Sequence, residues 1–365
     1  MQASRLKKWT WVHKWSSLLS TIFILMLCIT GLPLIFHDEI DALLNTDTWS
    51  PSNPNAEHLT LDEILAIGLA YRPSEIPVYL SFDIERPVVN LTSASIEDST
   101  NKNTHFASYD LTSGNIVPPR DRGEPVMKFI LQMHTDMFLG LTGMLFLGLM
   151  GGFFIVATIS GVVLYRQYMR NMDFGEVRHN RSRRHRWLDH HNLLGVVTFA
   201  WVLVVGATGV INTLEKPILD AWKSNNLSDL LSSTKYLADG AEQTQFASIG
   251  VAVKQAQALL PEMVLQFVGF PGSAFSTEQH YAIFMHGDTP LTREIIIPVL
   301  VDAYSGEVVG VSHMPWYVDA LSLSRPLHFG DYAGLPLKIV WCIMTLFTMW
   351  ILITGLYLWW RKYGR

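Results

Sequence analysis

Four uncharged, apolar runs, 15–36, 137–165, 193–214 and 339–360, constrain this chain more than any other feature. Each meets the length of about 20 residues that a helix needs to cross the hydrocarbon core of a bilayer. None carries the polar stripe of a helix lying on a soluble core. The expected class is therefore an integral membrane protein. Composition agrees: 49% of residues are hydrophobic, 16% are charged, and there are 12 Trp. The net charge is −5, and the basic residues cluster in short loops, which argues against nucleic acid as a partner. The first run is too long for a signal peptide and lacks a small-x-small cleavage site, so it is expected to stay as the first helix.

Lys and Arg near the helix ends set the orientation. Arg5, Lys7 and Lys8 precede the first run. Arg166, Arg170, Arg178, Arg181, Arg183, Arg184 and Arg186 lie between the second and third, and the chain ends WWRKYGR. All three segments are expected in the cytoplasm. The long polar segments between runs one and two, and between three and four, then lie on the opposite side as folded modules. This gives an N-terminal segment and first helix (1–36), a first module (37–136), a second helix (137–165) and a basic cytoplasmic loop (166–190). A third helix (191–214), a second module (215–334), and a fourth helix with its tail (335–365) complete the plan. The two cysteines, Cys28 and Cys342, sit inside apolar runs, so no disulfide framework is implied. No C-x-x-C-H is present, which excludes covalently attached c-type haem.

The chain repeats itself. Each apolar run has a histidine before or at its start and a Thr-Gly or Ser-Gly inside it. His13 to Gly31 and His191 to Gly209 both span 18 residues; His134 to Gly161 and His328 to Gly355 both span 27. The polar segments repeat as well. FASYDLTSGNIV (106–117) matches PVLVDAYSGEVVG (298–310), each an alternating strand, a Ser-Gly turn and a second strand. Upstream, LTLDEILAIGLAYRP (59–73) matches FASIGVAVKQAQALLPE (246–262), each an amphipathic helix stopped by proline. The expected fold is α+β: four transmembrane helices carrying two tandemly duplicated extracytoplasmic α+β modules.

The motif D-x-x-[ST]-G-x-[IV], together with the four His-headed helices, resembles the PepSY-associated transmembrane family. Within it, the layout is similar to iron-regulated inner-membrane proteins that act as haem-containing ferric-siderophore reductases. The resemblance covers nearly the whole chain. It implies PepSY-like modules, location in a bacterial inner (cytoplasmic) membrane with periplasmic modules and cytoplasmic termini, and a ferric siderophore as electron acceptor.

Topology sorts the histidines. Helices one and three start in the cytoplasm, so His13 and His191 belong to one face; His134 and His328 belong to the other. Two facing neutral imidazoles are the axial ligands of a b-type haem, so two haems b are expected, one per face. Ser17 and Ser20 after His13, and Gly195 and Thr198 after His191, line the same helix faces. Small residues there leave room for a macrocycle, or serve close helix packing. Gly330 and Gly334 flank His328 similarly, whereas Phe138 stands at i+4 from His134. A zinc site would need three or four ligands at one locus, and the two faces are about 30 Å apart. Lys14 and Arg186 on one face, and Lys128 and Arg325 on the other, are candidate propionate partners. His37 and His190 are spare candidates, read as interfacial; adjacent helical residues point about 100° apart, and only His191 keeps the 18-residue spacing. His105, His280, His286 and His313 are expected at module surfaces.

Two haems, one per face, would pass electrons across the bilayer to reduce a ferric siderophore on the periplasmic side and release Fe(II). The tryptophans Trp341, Trp350, Trp359 and Trp360 are candidates to aid stepwise transfer between the haems, with interfacial-belt and packing roles the stronger expectation. No G-x-G-x-x-G, P-loop, G-x-S-x-G or H-E-x-x-H is found, so an unidentified cytoplasmic or membrane electron donor is required. The competing reading is a non-enzymatic, membrane-anchored binding or regulatory protein without haem. A proton-coupled transporter is disfavoured because no charged residue lies deep in any run.

Overall fold

The chain is seen in a computed structural model that describes residues 3–44, 49–51, 53, 55–83, 86–95, 103–118, 125–168, 173–222, 224–225, 246–289, 292–312 and 314–363. Arg170 and His313 lie outside the described residues. The chain forms two compact units. One comprises residues 1–44, 122–217 and 321–365; the other comprises 45–121 and 218–320.

The first unit is helical. Its long helices are α1 (Ala3–Ile35), α5 (Leu141–Tyr168) and α11 (Gly334–Tyr363). Shorter ones are α2 (His37–Leu44), α4 (Pro125–Thr135), α6 (Arg183–Val197) and α7 (Phe199–Thr213), with the start of α8 (Glu215–Trp222) and the end of α10 (Trp316–Phe329). Among the described residues, three helices are long and apolar enough to cross a membrane: 4–35, 141–167 and 331–362. A fourth crossing exists only if α6 and α7 count as one span, and they meet at 65°. The third helix expected over 191–214 is thus seen as two helices with a break between them. The break falls at Thr198, whose hydroxyl bonds back to the Leu194 carbonyl at 2.9 Å, a contact that bends helices.

Before α5 and α11 the chain also breaks. Gly140 and Gly334 adopt left-handed backbone there, at φ 58° and 59°, which costs a residue with a Cβ but not glycine. His134 and His328 therefore sit near the ends of the short helices α4 and α10, each six residues before its glycine. Helical i+4 phase does not extend from His134 to Phe138. That residue lies in the turn at φ 62° and does not crowd the histidine face.

The second unit answers the expectation of two modules with one sheet. Helix α3 (Leu61–Ala70) precedes β1 (Glu75–Phe82), β2 (Val88–Ser95), β3 (Thr104–Asp110) and β4 (Ile116–Val117). Helix α9 (Ile249–Leu259) precedes β5 (Met263–Gly269), β6 (His280–Gly287), β7 (Ile296–Asp302) and β8 (Val308–Val311). The eight strands are antiparallel in the order β4-β3-β2-β1-β5-β6-β7-β8. The two repeats join through β1 and β5, with Leu80 opposite Val268. Pairing the two innermost strands removes one free edge from each half.

Helices α3 and α9 cover one face. Ile64, Ile249, Ala252 and Ala256 pack on Leu80, Leu91, Tyr109, Val268, Ile283 and Val299. Asp62 of α3 accepts from the Ile249 and Gly250 amides, so one helix caps the N-terminus of the other. On the other face, Trp222 and Val318 pack over Ala282, Phe284 and Leu300. Strand β6 is consequently buried along its whole length, which corrects the expected surface placement of His280 and His286. His280 Nδ1 lies against the Thr277 hydroxyl, and His286 Nδ1 against the Gly287 carbonyl.

The repeated D-x-x-[ST]-G motif is a turn. Asp110 accepts from the Thr112 amide and hydroxyl and the Ser113 hydroxyl; Asp302 accepts from the Tyr304 and Ser305 amides. Gly114 and Gly306 supply the left-handed residue, at φ 68° and 75°. Burial pushes the Asp110 carboxyl up, but the Thr112 and Ser113 donors outweigh it and hold the group below the usual carboxylate range.

Candidate functional site

The four His-headed positions converge as two pairs inside the helical unit. The His13 and His191 rings have centroids 6.4 Å apart at 77°. Those of His134 and His328 are 6.3 Å apart at 59°. Each pair takes one histidine from each half of the duplication.

The glycines of the repeat explain the spacing. Each is the landing place of a histidine from another helix in its own half. A Cβ built on Gly161 would meet His13 Cε1 at 3.1 Å, and one on Gly31 would meet His134 Cε1 at 3.2 Å. In the second half the distances are 2.9 Å for Gly209 to His328 and 3.4 Å for Gly355 to His191. The 18- and 27-residue spacings thus record where one histidine is carried and where the other is received.

Reception is the same four times. In three of the four, Nδ1 contacts the carbonyl four residues before the glycine: His13 with Ala157 at 2.8 Å, His191 with Ile351 at 3.1 Å, and His328 with Val205 at 2.9 Å; the His134 ring is bonded to the corresponding carbonyl, that of Leu27. The hydroxyl just before the glycine stands beside the same nitrogen. It belongs to Ser160 at 3.3 Å, Thr354 at 3.0 Å, Thr208 at 3.5 Å and Thr30 at 2.9 Å. Each hydroxyl donates its own proton to a carbonyl of its helix, so toward the imidazole it presents a lone pair. A carbonyl only accepts, so Nδ1 carries the ring proton. Nε2 is left as a bare lone pair with no hydrogen-bond partner among the described residues. A backbone carbonyl on the far nitrogen is the common outer support of a metal-bound histidine.

The spacing fits one metal ion between each pair. Metal–nitrogen bonds of about 2.0 Å, plus roughly 1.1 Å from nitrogen to ring centre on either side, place the centroids about 6.2 Å apart. Among the described residues, no group of three or more His, Cys, Asp or Glu converges on a metal-sized locus. Two ligands per locus suit a metal whose remaining positions are filled by a macrocycle rather than a protein-ligated zinc.

The spare histidines are not brought in. His190 is exposed. His37 Nε2 pairs with Asp38 at 3.0 Å, and that bond holds the imidazole above its ordinary pKa, whereas a ligand must be neutral. Of the four candidate propionate partners, Arg325 is ion-paired with Glu215 and the Lys14 ammonium lies over the Trp15 ring at 4.6 Å. Arg186 and Lys128 are exposed.

Three features escaped the sequence reading. Asp189, two residues before His191, is fully buried and held by the Arg178 guanidinium at 2.6 and 3.1 Å and by the Arg178 amide at 3.0 Å. Lys338, near the start of α11, is buried against Asp38 and Glu39 of α2 at 3.2 and 3.1 Å. Trp201 holds a buried indole N–H that has no acceptor among the described residues. Asp189 and Lys338 have no repeated signal, though Asp189 stands at the head of DHH, and Trp201 is repeated only as an aromatic position.

The profile of a protein family described as the PepSY-associated TM region matches residues 10–362. A Pseudomonas aeruginosa protein described as uncharacterized is 29% identical over 90 residues, which are 25% of this chain and 22% of that one. The matched stretch is therefore a minor part of either protein.

Proposed function

The chain belongs to the PepSY-associated transmembrane family, and from that premise and the paired histidines we propose that it is a di-haem b-type electron-transfer protein. The proposed setting is a bacterial inner membrane, with termini in the cytoplasm and the sheet unit in the periplasm. The acceptor is a ferric siderophore reduced on the periplasmic side. A separate cytoplasmic or membrane donor supplies the electrons.

The observation that carries this reading is the fourfold reception of Nδ1, which frees Nε2 within pairs 6.4 and 6.3 Å apart. Bound haem supplies a one-electron iron couple between each pair of imidazoles. The protein's part is to orient and tune. The carbonyls of Ala157, Ile351, Val205 and Leu27 fix each tautomer and ring direction, and raise the basicity of the ligating nitrogen. The hydroxyls of Ser160, Thr354, Thr208 and Thr30 add a second acceptor. The glycines let ring and helix backbone approach. The apolar bundle around them keeps water from the imidazoles.

The acceptor step needs no acid, base or nucleophile. Fe(III) held by hard oxygen donors is released on reduction because Fe(II) binds such donors far more weakly. The purified protein should show a Soret band and a pyridine haemochrome count of two haems per chain. After chemical reduction, a ferric siderophore should reoxidise it. Absence of haem at full loading would leave the competing reading, a haem-free anchored binding protein, and end this one.

A further inference from the structure

Near the middle of each 18-residue His-to-Gly stretch, each half of the duplication places an aromatic ring. Phe23 lies ten residues after His13 and eight before Gly31; Trp201 lies ten after His191 and eight before Gly209. Both rings meet a second ring edge-on. Phe23 meets Phe146 at 4.8 Å and 81°, and Trp201 meets Trp341 at 6.1 Å and 82°. Phe146 and Trp341 lie one residue out of register when Gly140 and Gly334 are aligned. The halves thus build the same device from different rings.

Only the second-half device is wired to a histidine. The Trp341 indole donates to the carbonyl of His328 at 3.2 Å and lies against Gly330, where a Cβ would come within 2.9 Å of the ring. Ten residues further along α11, about 15 Å of helix, the Ile351 carbonyl receives His191. Helix α11 therefore receives His191 of one pair and, through Trp341, holds the backbone of His328 of the other. Along α1, His13 and Gly31 are 18 residues, or about 27 Å, apart. An electron crossing that gap through aliphatic side chains meets a higher barrier than one crossing an indole, whose filled π orbitals lie higher than those of benzene.

We propose that Trp201 and Trp341 form the electron bridge between the two histidine pairs, and that the equivalent phenylalanines do not. This rests on the haem reading above. With haem held at both sites, the bridge would carry one electron from the His13–His191 site to the His134–His328 site. One is oxidised and the other reduced; no bond forms or breaks and no proton moves. The orphaned N–H of Trp201 is consistent with this, since an indole oxidised in its own right would shed a proton and no acceptor stands by among the described residues. The rings act as a conducting medium.

The test injects single electrons into the haem-loaded full chain by pulse radiolysis and follows equilibration between the two haems. Trp201→Leu and Trp341→Leu should slow equilibration by an order of magnitude or more, with haem content and both potentials unchanged. Phe23→Leu should leave the rate as it is. A wild-type rate in haem-replete Trp201→Leu overturns the bridge, as does equal slowing in Phe23→Leu. Should Trp201→Leu lose haem, Trp201→Phe takes its place, because it turns the second half into the first. Slowing supports the bridge and an unchanged rate overturns it. A wild-type protein that holds no haem overturns the bridge and the haem reading together, and the visible spectrum shows this before any kinetics are run.

Discussion

The two halves of the helical unit reach one arrangement by different means. In the first half, α1 runs unbroken from the His13 end to Gly31. In the second, α6 and α7 cover the same 18 residues with a 65° break between them. The turn before α5 holds two non-glycine residues, Met137 and Phe138, in left-handed backbone; the turn before α11 uses Gly330 and Gly334. His191 is backed by the buried Asp189, paired with a part-exposed Arg178, whereas the equivalent position in the first half is Trp11, which is exposed. Helix shape, turn chemistry and neighbouring charge all differ. The histidine, the receiving carbonyl, the hydroxyl and the glycine do not. The duplicated constraint is therefore the site, and the helices are free to vary around it.

The difference is easiest to break at Asp189. Removing the buried carboxylate takes away three hydrogen bonds to Arg178, one of them from its backbone amide, while the part-exposed guanidinium can turn to solvent, so the cost is about 1.5–3 kcal/mol. Asp189→Ala should lower the thermal midpoint of the purified protein by several degrees, and Trp11→Ala, at the matching position, should hardly move it. Equal effects would mean that the halves do not differ there.

The glycines come next. In an ordinary helix, Gly→Ala gains up to about 1 kcal/mol; here the new methyl meets an imidazole. A cost of about 1–3 kcal/mol is expected at the tightest contact, as for overpacking elsewhere. Severity should follow distance: Gly209→Ala worst, then Gly161→Ala and Gly31→Ala, with Gly355→Ala mildest. Haem retention on heating ranks them, and a ranking with Gly355 first would contradict the docking geometry.

In the sheet unit the same comparison is sharpened by acid. The donors on Asp110 hold its pKa below the ordinary 3.8, so the ionised form is preferred in the folded state. That contribution is fully present above the ordinary value and is lost as the pH falls through the lowered one. Asp110→Asn should weaken the protein at neutral pH by about 1 kcal/mol and flatten its acid-unfolding profile below pH 4. An unchanged profile would show that the turn donors do not favour the carboxylate.

The smallest effect expected is a gain. Phe138→Gly relieves a left-handed non-glycine residue whose strain is on the order of 1 kcal/mol. The melting temperature should rise slightly, and a fall would mean that the Phe138 ring packing outweighs the strain.

Much of this was legible in the sequence, because repetition does what a single helix signal cannot. His190 and His191 are indistinguishable by residue type, yet the 18-residue spacing picked out His191, and the structure leaves His190 exposed. The D-x-x-S-G turns were visible because a left-handed residue calls for glycine. What was hidden has a physical reason in each case. The Thr198 break carries neither proline nor glycine, and a threonine back-bond leaves no pattern. The fusion of two modules into one sheet depends on pairing β1 with β5, across about half the chain. His280 and His286 looked like surface residues because a strand buried on both faces loses the alternation by which exposure is read. The role of Thr-Gly as a docking place was hidden too, since its partner histidine lies on another helix.

The central claim is that the four histidines act as two cross-half pairs, and single-site haem counts test it most directly. His13→Ala and His191→Ala should each leave one haem per chain, and it should be the same one, identified by its α-band and midpoint potential. His134→Ala and His328→Ala should each leave the other. The His13→Ala/His191→Ala double variant should lose no more than either single variant. If His13→Ala and His134→Ala abolish the same haem, or if the double variant still carries two, the cross-half pairing is wrong.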